Sequence, residues 1–64
     1  MDLKKYYNKT VIVINSNDQI FSGVISDYFF PDDNTSMKES IVLETNSGDL
    51  YEFTWDDIKS IKEE

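Results

Sequence analysis

The chain has 64 residues, no cysteine and no histidine, and a formal net charge of −7 from 13 acidic and six basic side chains, the latter all lysine. It therefore lacks disulfides, thiolate zinc sites and the commonest general base, and we expect no catalytic residues, no metal and no cofactor. The negative charge also disfavours nucleic acid and anionic membranes as partners, because both are bound chiefly through cationic side chains.

One domain is all that this length supports, because a chain this short buries only about 60% of its extended surface on folding. The amino end, from Met1 to Lys5, lacks the apolar stretch of a signal peptide, and no segment approaches the roughly 18 apolar residues of a membrane span. We therefore expect a single cytoplasmic domain over residues 1–64. The lack of alanine and arginine beside abundant Asn, Lys and Ile indicates an AT-rich genome, such as that of a low-GC Gram-positive bacterium or its phage.

The first predicted element is a short helix over about residues 2–8. Leu3 and two tyrosines lie at helical spacing there, and Asp2 stands where it would cap the turn. A helix this short is not stable alone in water, so it must pack on the rest of the domain. The first strand follows over Thr10 to Asn15, and its β-branched residues on both faces predict cover on both sides.

The longest predicted strand runs from Gln19 to Phe30, after a polar turn over residues 16–18. At about 3.3 Å per residue it is too long for a flat strand over so small a core. Gly23 has no side chain to obstruct curvature or close approach, so we expect the strand to bend there and to serve two sides of a small barrel.

A loop, two strands and a tail complete the predicted order. Pro31 ends the long strand, and Asp32-Asp33-Asn34 in the loop fails the EF-hand calcium pattern, which leaves a solvated loop. Strands are predicted over Ser40 to Thr45 and over Leu50 to Thr54, joined by a hairpin in which Gly48 takes a positive φ.

The tail from Trp55 to Lys62 has two interpretations. A spacing of three between its large apolar residues suits a helix. A single 3₁₀ turn at 55–57 followed by a fifth strand from Ile58 also fits. We favour the turn and strand, because a fifth strand protects an edge that a four-stranded meander leaves open.

Together these elements resemble the Sm-like proteins, a family of SH3-like small barrels, over most of the chain. The resemblance is carried by a V-x-V-type first strand, by a glycine followed by an aliphatic and then an aromatic residue, by an aliphatic triplet, and by the spacing of the last strand. The matching positions are Val11-Ile12-Val13, Gly23, Ile25, Tyr28, Ile41-Val42-Leu43, Ile58 and Ile61. The resemblance implies a mainly β fold, a five-stranded bent antiparallel barrel over about residues 10–62, preceded by the short N-terminal helix.

The family's RNA-binding positions differ in this chain. Sm-like proteins bind bases through an Asp after that aromatic and an Asn before the aliphatic triplet, and here Phe29 and Ser40 stand in those places. Trp55-Asp56-Asp57 replaces the basic element before the family's last strand. RNA binding by analogy is therefore an alternative rather than the main hypothesis.

Four aromatic residues near strand ends form the candidate partner-binding site: Tyr28, Phe29, Phe30 and Trp55. They either pack in the core or form an exposed patch for a peptide or for another copy of the chain. SH3-like barrels bind Pro-rich segments on aromatic grooves, whereas Sm-like proteins join edge strands into rings. The adjacent Asp56 and Asp57 are assigned to capping the turn, because no catalytic partner stands near them.

The main hypothesis is a non-enzymatic acidic binding module for a protein partner or for self-assembly, with no small-molecule substrate. Two alternatives stay open. One is Sm-like RNA binding, which predicts a salt-dependent RNA interaction. The other is an acidic mimic of nucleic acid, of phage origin, which occupies a nucleic-acid-binding partner and requires acidic side chains on one face of the domain.

Overall fold

The computed structural model describes residues 2–31 and 38–64. It contains five strands, which are β1 (Thr10–Asn15), β2 (Ile20–Phe29), β3 (Ser40–Glu44), β4 (Leu50–Thr54) and β5 (Ile58–Glu63). All pairings are antiparallel, and the strands form one sheet in the order β4-β3-β2-β1-β5. The predicted mainly β fold with five antiparallel strands is confirmed. Among the described strands, β4 and β5 are the two edges of the sheet, which is not closed.

The long strand β2 divides its pairing between two neighbours. Its first half, from Ile20 to Val24, pairs with β1, and its second half, from Val24 to Phe29, pairs with β3. The register shifts between Ile25 and Asp27, so the irregularity lies beyond the glycine at which the bend was predicted. A bulge of this kind inserts one unpaired residue and increases the local twist, which lets one strand serve two parts of a curved sheet.

The predicted helix over residues 2–8 is wrong in kind, because the segment forms one 3₁₀ turn at Lys4–Tyr6. Leu3, not Asp2, occupies the N-cap position, and no side chain caps the turn. After the turn, Asn8 takes a φ of 64° and its N–H donates to the carbonyl of Ile25 at 2.9 Å. The backbone thus bonds to β2 instead of continuing as a helix.

The core lies on one face of the sheet and under the N-terminal turn. Its buried apolar side chains are Leu3, Val11, Val13, Ile25, Ile41, Leu43, Phe53 and Ile58. Burial of Leu3 agrees with the prediction that the N-terminal segment packs on the domain. On the other face of β1, Ile12 and Ile14 are only partly buried, so the expected cover on both sides is incomplete.

The tail adopts the favoured arrangement, a 3₁₀ turn at Trp55–Asp57 followed by β5. The hydroxyl of Thr54 lies 2.7 Å from Oδ1 of Asp56 and 3.0 Å from Oδ2 of Asp57, so the two carboxylates share its single hydrogen. The side chain of Thr54 does not cap the backbone of the turn. Gly48 takes a φ of 89° in the β3–β4 hairpin, as predicted. No helix in residues 2–31 and 38–64 is long and apolar enough to cross a membrane.

Candidate functional site

Two of the four predicted aromatic residues meet at the end of β2. The rings of Tyr28 and Phe30 pack edge to face, with centroids 5.1 Å apart. Tyr28 is partly buried against the core, whereas Phe30 is 48% exposed. Edge-to-face packing is a favoured geometry for aromatic pairs, so Tyr28 supports Phe30 on the surface.

The other two aromatic residues lie elsewhere. Phe29 pairs with Ser40 of β3, and strand alternation places its side chain on the opposite face from Tyr28. Trp55 is 43% exposed and begins the second 3₁₀ turn, where its N–H donates to the carbonyl of Glu39 at 3.0 Å. Of the four predicted aromatic residues, only Tyr28 and Phe30 therefore lie together in one site.

That pair lines a cavity of about 340 Å³, here named the aromatic cleft. Its lining residues are Lys4, Tyr7, Asp27, Tyr28 and Phe30. The ammonium of Lys4 lies 5.1 Å from the ring centroid of Phe30, within cation–π range. Sequence reasoning did not assign Tyr7 and Lys4 to this site. Of the two tyrosines in the N-terminal segment, Tyr6 packs against the core, and Tyr7 is left 47% exposed at the cleft.

A hydrogen bond fixes the inner wall of the aromatic cleft. The hydroxyl of Tyr28 donates to Oε2 of Glu39 at 2.7 Å, and Oε1 of Glu39 accepts the N–H of Leu3 at 3.2 Å. The bond to Glu39 raises the pKa of Tyr28 to about 12, because it stabilises the protonated phenol; burial and the negative charges of Glu39 and Asp2 add to the shift. Tyr28 is thus a neutral, positioned side chain at neutral pH.

The acidic pair of the second 3₁₀ turn is bound to neighbouring side chains. Nζ of Lys38 lies 2.5 Å from Oδ2 of Asp56. The hydrogen bonds from Lys38 and then Thr54 lower the pKa of Asp56 below its usual value, so it is ionised at neutral pH. A carboxylate held in this way does not carry a proton for acid–base chemistry near neutrality.

A second cavity, here named the hairpin groove, lies between the β1–β2 hairpin and β4 and has a volume of about 480 Å³. Phe21 lines it with Tyr51 and Phe53, at ring-centroid distances of 4.8 and 5.0 Å. Glu52 and Asp57 are among its lining residues. Sequence reasoning missed this groove, because it joins residues from β1, β2, β4 and the second 3₁₀ turn.

Possible metal ligands are not gathered in the described part of the chain. Across residues 2–31 and 38–64, no three acidic, histidine or cysteine side chains come together in a way that would hold a metal ion. The segment Asp32-Asp33-Asn34, interpreted as a solvated loop, lies outside the described residues.

Comparison with known proteins gives a fold and no family. No protein-family model matches the chain, and no curated protein matches it. A chain from the solved structures that explain activation of the Dcp1:Dcp2 mRNA decapping complex by Edc3 and Scd6 is similar, with a TM-score of 0.69 over 98% of this chain and 22% sequence identity. This chain spans 59% of the length of that one. At this identity the similarity establishes a small β fold.

Proposed function

We propose that the chain is a non-enzymatic protein-binding module with a Sm-like, SH3-like small-barrel fold, and that the aromatic cleft binds an apolar segment of a partner protein. The observation that carries the proposal is the exposure of Tyr7 and Phe30, 47% and 48%, in the lining of a cavity of about 340 Å³. Large aromatic side chains next to a cavity are typical binding anchors, since they bury much area at a low entropic cost.

The hydrogen bonds that hold the wall of the cleft support the same function. Tyr28 is held by Glu39 and by the core, and Glu39 is in turn bonded to the backbone of Leu3. A preformed wall reduces the ordering cost of binding. The charged residues of the lining, Lys4 and Asp27, can orient a peptide backbone at the rim.

Two further observations support the barrel type and the class of partner. The division of β2 between β1 and β3, and the 3₁₀ turn before β5, support a Sm-like arrangement. The similar solved chain comes from work on the Dcp1:Dcp2 decapping complex and its activation by other proteins. That similarity supports the proposal that this chain binds a protein partner.

Selection from a phage-displayed library of random peptides tests the proposal. We expect enrichment of peptides rich in apolar residues. Phe30→Ala should weaken their binding about tenfold or more, equivalent to ~1.4 kcal/mol. Leu50→Ala is the matched control, because Leu50 is 64% exposed on β4 and does not line the cleft. Equal loss in both variants, or no enrichment at all, would contradict the proposal.

Self-assembly is the second candidate function. Among the described strands, β4 and β5 each pair on one side only, and an unpaired strand edge can pair with another chain. Leu50, on β4, is 64% exposed and adds apolar surface to that edge. Light scattering at high protein concentration tests this candidate, and a monomeric mass would exclude it. RNA binding and nucleic-acid mimicry remain alternatives, and retention on RNA at low salt tests the former.

A further inference from the structure

We propose that the hairpin groove is a second binding site, which accepts the lysine or arginine side chain of a basic peptide segment. The groove and the aromatic cleft lie at opposite ends of β2, since Phe21 lines one and Tyr28 the other. This inference is independent of the aromatic cleft, and it assigns a chemical class of ligand to surface that no other part of the chain covers within the described residues.

An aromatic wall supplies the first half of the recognition. Phe53 is only 5% exposed and forms the floor, whereas Tyr51 is 40% exposed and Phe21 is partly buried. The rings of Phe21 and Tyr51 are tilted by 51° to one another, so their faces are not stacked flat. Aromatic faces carry negative potential and attract ammonium and guanidinium groups.

A carboxylate supplies the second half. Asp57 is among the lining residues, and no lysine is. Glu52 also lines the groove, but its Oε2 accepts the hydroxyl of Ser40 at 3.1 Å, and strand alternation places its side chain on the face of β4 opposite to Tyr51 and Phe53. Oδ2 of Asp57 accepts the hydroxyl of Thr54 at 3.0 Å, and its main-chain carbonyl accepts the N–H of Ser16 at 2.8 Å. The bond from Ser16 holds Asp57 against the β1–β2 hairpin, and the bond from Thr54 ties its side chain to the end of β4. An ionised carboxylate has further acceptor sites, so one donor does not saturate it.

The chain makes the same lysine–aromatic contact within itself at other places. Lys4 lies over Phe30 and Lys5 over Tyr6, at 5.1 and 5.2 Å from the ring centroids. No lysine in the described residues is placed in this way over Phe21 or Tyr51. Lys59, which reaches the hairpin, is instead held by Asp18 at 2.5 Å. A cation over these two rings would therefore come from another molecule.

Charge and size favour a basic peptide as that molecule. The net charge of −7 attracts a cationic partner at long range and repels nucleic acid. A single carboxylate beside an aromatic wall does not form a metal site, which needs more ligands. A volume of about 480 Å³ accommodates one long side chain with its adjoining backbone.

A nuclear magnetic resonance titration with two short synthetic peptides tests the proposal. One peptide has a single arginine in a Gly/Ser context, and the other has citrulline, which is of similar shape and uncharged. We expect saturable shifts of the backbone amides of Phe21, Tyr51 and Asp57 with the arginine peptide only. Equal shifts with the citrulline peptide, or shifts that do not saturate, would overturn the proposal.

Adjacent aspartates provide a matched pair of variants. Asp57→Asn should weaken arginine-peptide binding about tenfold, because it removes a charge-assisted hydrogen bond. Asp56→Asn changes the net charge equally, but Asp56 pairs with Lys38 and does not line the groove, so binding should be nearly unchanged. Equal effects of the two variants would reduce the interaction to long-range attraction and overturn the proposal. Phe30→Ala should leave arginine binding intact, which separates this site from the aromatic cleft.

Discussion

Gly23 lies against the main-chain carbonyl of Glu44. A Cβ atom at Gly23 would overlap the carbonyl oxygen of Glu44 and lie 2.8 Å from its carbonyl carbon. Gly48 is the glycine with a positive φ, so Gly23 is required for space and not for its backbone conformation. The close approach of the end of β3 to β2 is what allows β2 to curve between its two partners.

Substitution Gly23→Ala should therefore destabilise the fold. Added atoms in a packed site that cannot relax cost typically about 1–3 kcal/mol, and here the obstacle is backbone. Urea unfolding followed by the fluorescence of the single tryptophan measures the change. Ser22→Ala is the control, because Ser22 is exposed on the same strand and should have little effect. An unchanged midpoint for Gly23→Ala would show that β3 does not lie so close to β2.

Tyr28 should ionise well above the usual pH range of a tyrosine. Its pKa is raised from 10.0 to about 12, first by the hydrogen bond to Glu39. Because the folded protein holds this proton more tightly than the unfolded chain, the stabilisation is complete below pH 10.0 and is lost as the pH rises towards about 12. Ultraviolet titration of tyrosinate should show one late phase, absent in Tyr28→Phe. Tyr51→Phe should retain it. A late phase that survives Tyr28→Phe would assign it to another residue.

Local patterns predicted the strands because most of the information is local. Alternation of β-branched residues marked β1, and the proline at position 31 marked the end of the β2 region. The prediction of a short helix was wrong, because the conformation of this segment depends on hydrogen bonds to a residue distant in sequence. The N–H of Asn8 bonds to Ile25, and the carbonyl of Lys9 accepts the N–H of Ile25 at 3.0 Å. Helical spacing cannot reveal such a competing partner.

The candidate site was predictable in part for the same reason. Tyr28 and Phe30 share one side of an extended segment, and their meeting follows from alternation. The same alternation places the side chain of Phe29 on the opposite face of the strand. Tyr28 and Phe29 therefore could not belong to one surface on a regular strand. The contribution of Tyr7 depends on the fold bringing the amino end beside β2, which the sequence does not specify locally.

The β1–β2 hairpin depends on one asparagine side chain. Oδ1 of Asn15 accepts the N–H groups of Asn17 and Gln19 at 3.0 and 2.9 Å, and its Nδ2 donates to Oε1 of Gln19 at 2.9 Å. Asn15→Ala removes these bonds and exposes the amides to water, so we expect a loss of about 1–2 kcal/mol. Asn15→Asp keeps the acceptor and should lose less. Equal losses would show that the donor, rather than the acceptor, orders the turn.

Leu3 makes the N-terminal turn part of the core. It is fully buried, and its N–H donates to Glu39, which also holds Tyr28. Leu3→Ala should cost about 2–5 kcal/mol, as is usual when a buried Leu is truncated. That is a large part of the roughly 3–10 kcal/mol expected for a domain of this size, so the variant is expected to be partly unfolded at room temperature.

A milder substitution at the same position keeps the test of Leu3 quantitative. Leu3→Met conserves volume and should cost less than about 1.5 kcal/mol, while the backbone bond to Glu39 remains. Lys5→Ala is the control on the same turn, because Lys5 is exposed. Thermal unfolding should rank the proteins as wild type and Lys5→Ala, then Leu3→Met, then Leu3→Ala. If Leu3→Ala instead melts with the wild type, the turn is an appendage, and the aromatic cleft that Lys4 and Tyr7 complete would not be preformed.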